Sequence, residues 1–356
     1  MLYLTSVFAK QQGKIPKIAA GRNAHKVFIT ACALLDIDVD WLYGDDLLTC
    51  KITADSLEKY LSNEGRDCVA VYVTSPDYLG NTVKIKELSE VCKKYGVLLL
   101  VDNAHGAYLR FLETDRHPIT LGADMCCDSA HKTLPVLTGG AYLHFGKSVP
   151  ACILEQAEDA MQLFSSTSPS YLILQSLDGN NRYLSDSYSK KLQEFIKSID
   201  TLKSDLLNAG FTLVGDEPLK VTIATKSYGY KGDELSDILS KNKIVCEFCD
   251  PDYICFMLTL QNGIKAVEVL KKALCDIPKR TEILETAPKV TKAQRCCSHR
   301  QALMCDSELK PIEDCEGRVM AAASVSCPPA IPIVVCGEII GRNDIERMKY
   351  YGIEKI

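Results

Sequence analysis

Two short stretches gather residue types that can do chemistry. In VLLLVDNAHGA, Asp102 and then His105 follow an apolar run from Val97 to Val101. In GADMCCDSAHKT, Ser129, His131 and Lys132 follow a short run from Asp124 to Cys127. A lysine amine stripped of water is a nucleophile that forms a Schiff base with an aldehyde. A carboxylate set against a pyridine nitrogen keeps that ring protonated and makes it an electron sink, as pyridoxal phosphate requires. Ser129 and His131 could donate hydrogen bonds to the phosphate of such a cofactor. The same residues also read as a salt bridge at a sheet edge with two structural histidines, because charged strand ends are common.

The elements around these residues must bring them to one place. Val97 to Val101 is too short for a helix and is bounded by Gly96 and Asp102, so it predicts a strand buried on both faces of a parallel sheet. A second strand over Asp124 to Cys127 would deliver Lys132 to the same edge, and open α/β sheets bind ligands at the carboxyl ends of their strands. Upstream, strands are expected at Ile15 to Ala20, Val39 to Tyr43 and Cys68 to Thr74. Helices are expected between them at Ala24 to Leu35, Ala54 to Ser62 after the cap Thr53, and Ile85 to Lys94. This alternation implies βαβ units and an α/β fold. Gly139 to Phe145 adds a strand, and helical patterns run from Val149 to Leu163 and from Ser170 to Asn208. Beyond Phe211 a smaller α/β unit is expected. It has strands at Leu219 to Ala224, Ile244 to Phe248 and Tyr253 to Leu258, and helices at Gly232 to Ser240 and Ile264 to Leu274. A charged linker covers 276–292.

D-x-A-H-G at Asp102 to Gly106 followed by S-A-H-K-T at Ser129 to Thr133 resembles the ornithine/lysine/arginine decarboxylases, which are fold-type-I pyridoxal-phosphate enzymes. R-N-A-H-K at Arg22 to Lys26 and the closing segment from Pro328 to Glu338 add to the likeness, in the same order along the chain. The resemblance implies an aspartate aminotransferase-like large domain over 1–205, a small α/β domain over 206–280 and a C-terminal decarboxylase-type unit over 281–356. It also implies that Lys132 carries pyridoxal 5'-phosphate, that Asp102 binds the pyridine nitrogen and that His25 stacks on the ring. His105 would meet the phenolic oxygen or the substrate carboxylate, and Ser129 and His131 would contact the phosphate or line the pocket. The loop at Ser75, Pro76 and Tyr78 would cover the cofactor, and Ser165 to Leu172 would reach the phosphate of a neighbouring subunit. Glu338 would recognise a basic side chain or hold the C-terminal unit in place. The implied reaction is decarboxylation of arginine, lysine or ornithine, in a homodimer or higher homo-oligomer.

The family's Pro-Gly-His-Lys-like motif and phosphate-cupping turn are not found, so the chain reads as an N-terminally shortened member. The alternatives are a non-catalytic chain that keeps the fold and a dimer surface, and another fold-type-I aminotransferase or lyase. A net charge of −5 with no long basic block argues against nucleic-acid and membrane-surface partners. No apolar run reaches the length of a membrane span. The opening segment, Met1 to Ala9, lacks the basic region of a signal peptide. Seventeen cysteines scattered through apolar segments suggest free thiols in a reducing cytoplasm, and Cys246 and Cys249 have no second pair with which to hold zinc. No metal is expected, and His117 and His144 read as structural.

Overall fold

The residues described in this computed structural model are 1–44, 51–326 and 331–356. Alternation within short apolar runs builds the central sheet. Its strands are β1 (Lys17–Gly21), β2 (Asp38–Leu42), β3 (Ala70–Thr74), β4 (Leu98–Asp102), β5 (Met125–Asp128) and β6 (Tyr142–Phe145). They lie in the order β2-β1-β3-β4-β5-β6, parallel except for β6, which runs antiparallel at the edge. Side chains one residue apart on a strand point to opposite faces. Ala70, Tyr72, Leu98 and Leu100 therefore pack on one side with Phe28 and Ile29 of the helix Lys26–Leu35. Val71, Val73, Leu99 and Val101 pack on the other with Leu57, Leu61, Leu88 and Cys92. Those four come from the helices Ala54–Ser62 and Ile85–Tyr95. Burying one such leucine stabilises the fold by about 1.5–3 kcal/mol, which is why a run this short suffices to set the middle of the sheet. Thr53 caps its helix in a reciprocal bond with Ser56.

The second sheet is antiparallel, in the order β7-β8-β10-β9, from β7 (Thr212–Val214), β8 (Lys220–Ala224), β9 (Phe248–Cys249) and β10 (Tyr253–Met257). Strand β7 went unnoticed in the sequence because three residues between Gly210 and Gly215 carry no period. The strand expected over Ile244 to Phe248 shrinks to Phe248–Cys249, which leaves Cys246 outside it; Lys243 in a left-handed turn delays the start. The helical stretch expected from Ser170 to Asn208 breaks into Tyr171–Ser185 and Tyr188–Asn208. Ser187 turns left-handed there, and Tyr188 swings inward against Phe111 and Tyr183.

The linker over 276–292 is irregular but held to the surface. Arg280 and Ile283 donate backbone hydrogen bonds to Tyr228 and Lys226. Beyond it, β11 (Ser324–Ser326) pairs with β12 (Pro332–Val335), and the helix Arg342–Tyr350 closes a small core of Ile312, Met320, Ile333, Ile345 and Met348. Pro328 and Pro329 of the closing motif lie outside the described residues. The described cysteines are free thiols. No helix among the described residues is long and apolar enough to cross a membrane.

Candidate active site

The parallel register brings the carboxyl ends of β3, β4 and β5 to one edge. Asp102 ends β4. Its Oδ1 accepts the Ala104 amide at 3.0 Å and its Oδ2 accepts the Tyr72 hydroxyl at 2.9 Å. A carboxylate has about four lone-pair sites, so a fixed acid with acceptor capacity to spare stands at the strand end. Tyr72 comes from neighbouring β3, and no motif announced it; its place on the Leu100 side of the alternation was the available signal.

Lys132 lies in the short helix Ala130–Thr133 that follows β5, with its Nζ 3.0 Å from His105 Nε2. Burial lowers the proton affinity of the amine, the negative charges of Asp102 and Glu247 oppose that, and Lys220 reinforces it. His105 is buried, and that burial, followed by the charges of Lys220 and Lys132, holds its pKa well below the ordinary value. The neutral ring and the Lys132 amine thus share a hydrogen bond. The turn that delivers His105 closes with Gly106 N–H donating to the Asn103 carbonyl at 2.8 Å. A Cβ at Gly106 would overlap Asn103 Oδ1, so the glycine of D-x-A-H-G is required by close approach.

His25 caps the helix Lys26–Leu35, accepting the Val27 amide on Nδ1 at 3.3 Å. With Asp102, Tyr72 and Phe28 it lines a largely apolar cavity of about 340 Å³ whose far wall includes Leu4 and Phe164. Desolvation lowers the His25 pKa against the pull of Asp102, and the charge of Lys132 adds to the lowering. The three residues expected to grip the cofactor ring and aldehyde, Lys132, Asp102 and His25, are therefore close enough to feel one another electrostatically.

The remaining candidates fall into place less directly. Ser129 precedes the short helix without making a side-chain cap. His131 Nδ1 lies 2.9 Å from the Gly140 carbonyl and must donate to it. Its Nε2 is then an acceptor in the neutral ring, and contact with a phosphate as a donor requires the charged form. In the loop after β3, Ser75 Oγ accepts the Val83 amide at 3.2 Å, and the Tyr78 ring meets His105 edge-on at 5.3 Å. Ser165 to Ser170 lie exposed between two helices. Glu338 meets the residue that follows the carboxyl end of β1. It is buried in a two-pronged pair with Arg22, at 2.6 and 2.7 Å, and also accepts the Val335 amide. Of its two expected roles, the structure places it in the one that holds the C-terminal unit.

His117 and His144 both direct Nε2 to one oxygen of Asp128, each at 3.0 Å, while Asn103 donates to the other at 2.7 Å. His117 Nδ1 accepts the Ile119 amide, which leaves Nε2 as a donor to the carboxylate. Burial alone would raise the Asp128 pKa, but the hydrogen bonds from His117, His144 and Asn103 outweigh it and hold the carboxyl below the usual carboxylate range. The cluster ties Asn103 after β4 to Asp128 at the end of β5 and to His144 in β6.

A desolvated amine, a fixed carboxylate and an imidazole lining the adjoining cavity form the donor set that pyridoxal phosphate uses, and these residues fit it. The sheet and the lysine at its edge define the class of fold: that of the fold-type-I pyridoxal-phosphate enzymes. Among solved structures of that fold, the alanine–glyoxylate aminotransferase from Nostoc sp. matches with a TM-score of 0.60 at 14% identity, over 76% of this chain and 77% of that one. The chain belongs to the Orn/Lys/Arg decarboxylase family, matching its major domain over residues 13–214 and its C-terminal domain over 280–354. Members of this family depend on pyridoxal phosphate.

The arginine decarboxylase of Halalkalibacterium halodurans is 27% identical over 359 residues, covering 92% of this chain and 71% of that protein. The uncharacterized protein YaaO of Bacillus subtilis is 28% identical over 318 residues, and the match covers 83% of this chain but 63% of YaaO. The constitutive lysine decarboxylase of E. coli shares the fold with a TM-score of 0.74 at 16% identity, over 99% of this chain and 66% of that one. The chain thus spans about two thirds of the length of these relatives.

Proposed function

We propose that this chain decarboxylates a basic amino acid, arginine first among arginine, lysine and ornithine, with pyridoxal phosphate attached to Lys132. The carrying observation is the contact of Lys132 Nζ with neutral His105, beside an acid held by Tyr72 and Ala104. The arginine decarboxylases of Halalkalibacterium halodurans and Bacillus subtilis among the relatives support arginine over the other two.

When bound, pyridoxal phosphate supplies the electron sink that takes the pair left behind as carbon dioxide departs. Asp102 holds a proton at the pyridine nitrogen, an interaction that strengthens as negative charge develops and so lowers the barrier. Tyr72 and the Ala104 amide keep that carboxylate from swinging away. The lowered proton affinity of Lys132 favours the proton-free amine that would hold the aldehyde, and the same amine, in contact with His105, would return a proton to Cα. His25, with the apolar wall of Phe28, excludes water from one face of the ring. Ser129 and His131 contact the phosphate or line the pocket, His131 in its charged form where it donates. A homodimer in the cytoplasm completes the reading.

The test is to incubate the protein with pyridoxal phosphate, reduce with borohydride and map the adduct by mass spectrometry. Carbon dioxide release is then measured from carboxyl-labelled arginine, lysine and ornithine. An adduct on Lys132 together with release from one basic amino acid is expected. A stable adduct without release from any of the three would overturn the reaction, and no adduct at all would favour the non-catalytic chain.

A further inference from the structure

Lys220 opens β8 in the smaller sheet, yet it is only 3% exposed. Its Nζ donates to the carbonyls of Asp77 and Tyr78, at 2.9 and 2.8 Å, and stands 5.2 Å from the centre of the Tyr78 ring. Two residues along the same face of β8, Thr222 Oγ1 donates to the Leu79 carbonyl at 2.8 Å. The smaller sheet thus grips the loop after β3 through three consecutive carbonyls. The next links are the edge-on contact of Tyr78 with His105 and the 3.0 Å contact of His105 with Lys132.

Two of those carbonyls could be satisfied by a neutral amide. A buried ammonium costs several kcal/mol of desolvation unless it is paired. Among the described residues no carboxylate forms an ion pair with it. The nearest acids are otherwise engaged, Asp77 with Asn81 and Glu217 with the amides of Leu219 and Lys220. Held by two carbonyls rather than by a counter-ion, the ammonium leaves its field to act on its surroundings.

We propose that Lys220 is a positioning residue for the Lys132 site. Its ammonium pins Tyr78 against His105 and adds a positive charge behind that pair, favouring the proton-free amine of Lys132. The groups facing Lys132 are Asp102 from β4, His105 from the turn after it, His25 from the helix Lys26–Leu35, Glu247 beside β9 and Lys220 from β8. The two acids favour the ammonium and Lys220 opposes them, after desolvation as the largest effect. Around His105, burial comes first, then Lys220, Lys132 and His25, all disfavouring a charged ring. Lys220 thus acts on both members of the pair. Its bearing on decarboxylation rests on Lys132 being the cofactor lysine, but its electrostatic effect does not.

The experiment is competitive acetylation of the cofactor-free full chain across pH, with the labelling of Lys132 read by peptide mass spectrometry. Three variants are compared with the parent: Lys220→Arg, Lys220→Gln and Lys220→Met. Losing one charge from a partly buried site should raise the Lys132 midpoint by about one unit, roughly a tenfold loss of free amine below the midpoint. Lys220→Gln and Lys220→Met should show that shift, whereas Lys220→Arg should label like the parent. A midpoint unchanged in Lys220→Gln overturns the proposal. So does an equal shift in Lys220→Arg, which would mark Lys220 as packing alone. Should Lys220→Met fail to fold, as judged by circular dichroism, the Gln and Arg arms decide. Because no cofactor is present, a negative result here is distinct from failure to form the borohydride adduct.

Discussion

A lysine at a strand end is chemically ordinary until something removes its water and gives its amine a partner. Here burial does the first and neutral His105 the second. Replacing Lys132 with alanine should abolish the borohydride adduct and cost at least about a thousandfold in turnover, while thermal melting moves little because the side chain lies at the sheet edge. Asp128 makes the opposite kind of prediction. Its folded pKa lies below the ordinary value of about 3.9, so its stabilisation is present above that pH and is lost as pH falls through the depressed folded value. Asp128→Asn should therefore cost about 3 kcal/mol at pH 7, and urea titrations should show the gap to the parent closing below about pH 4. Lys132, Asp102, His105 and His25 were legible in the sequence because motif spacing marks them. Tyr72 and Lys220 were not, because a tyrosine or lysine inside an apolar run carries no mark of what it touches across the fold.

At the scale of elements, the loop after β3 joins the two larger sheets. Asp216 and Glu217 donate their amides to the Gly80 carbonyl, and Thr82 bonds Asp216 through both its amide and its hydroxyl. Gly215, at φ +84°, comes so close that a Cβ would lie 2.7 Å from the Leu79 carbonyl oxygen. Gly215→Ala should thus cost about 1–3 kcal/mol and loosen Tyr78 from His105, and faster hydrogen exchange at the Leu79 and Gly80 amides would report it. In the sheet centre, Leu100→Ala should cost about 2–5 kcal/mol by denaturant unfolding, because its neighbours pack on it from β3 and β5. The parallel strands were readable because runs such as LLLV leave no other assignment for their length. The three-residue β7 and the break at Ser187 were not, since both depend on contacts from remote residues.

For the whole molecule, the telling contact joins the first motif to the last. Arg22 and Glu338, 316 positions apart, form a buried pair under the Trp41 ring. Glu338→Gln alone should cost about 3–5 kcal/mol, because a buried guanidinium loses its counter-charge, whereas Arg22→Met with Glu338→Leu should come close to the parent in denaturant midpoint. The closing segment stood out in the sequence by its prolines and glycine, but that its acid faces Arg22 was not visible. Long-range pairing leaves no local trace.

Arg22 stands three residues before His25, so the same pair anchors the chain just ahead of the candidate imidazole. A ribosome releases the sheet strands long before it reaches Glu338, the counter-charge of Arg22. Cofactor capture should consequently lag behind protease resistance of the sheet during synthesis, until Glu338 has emerged and folded back.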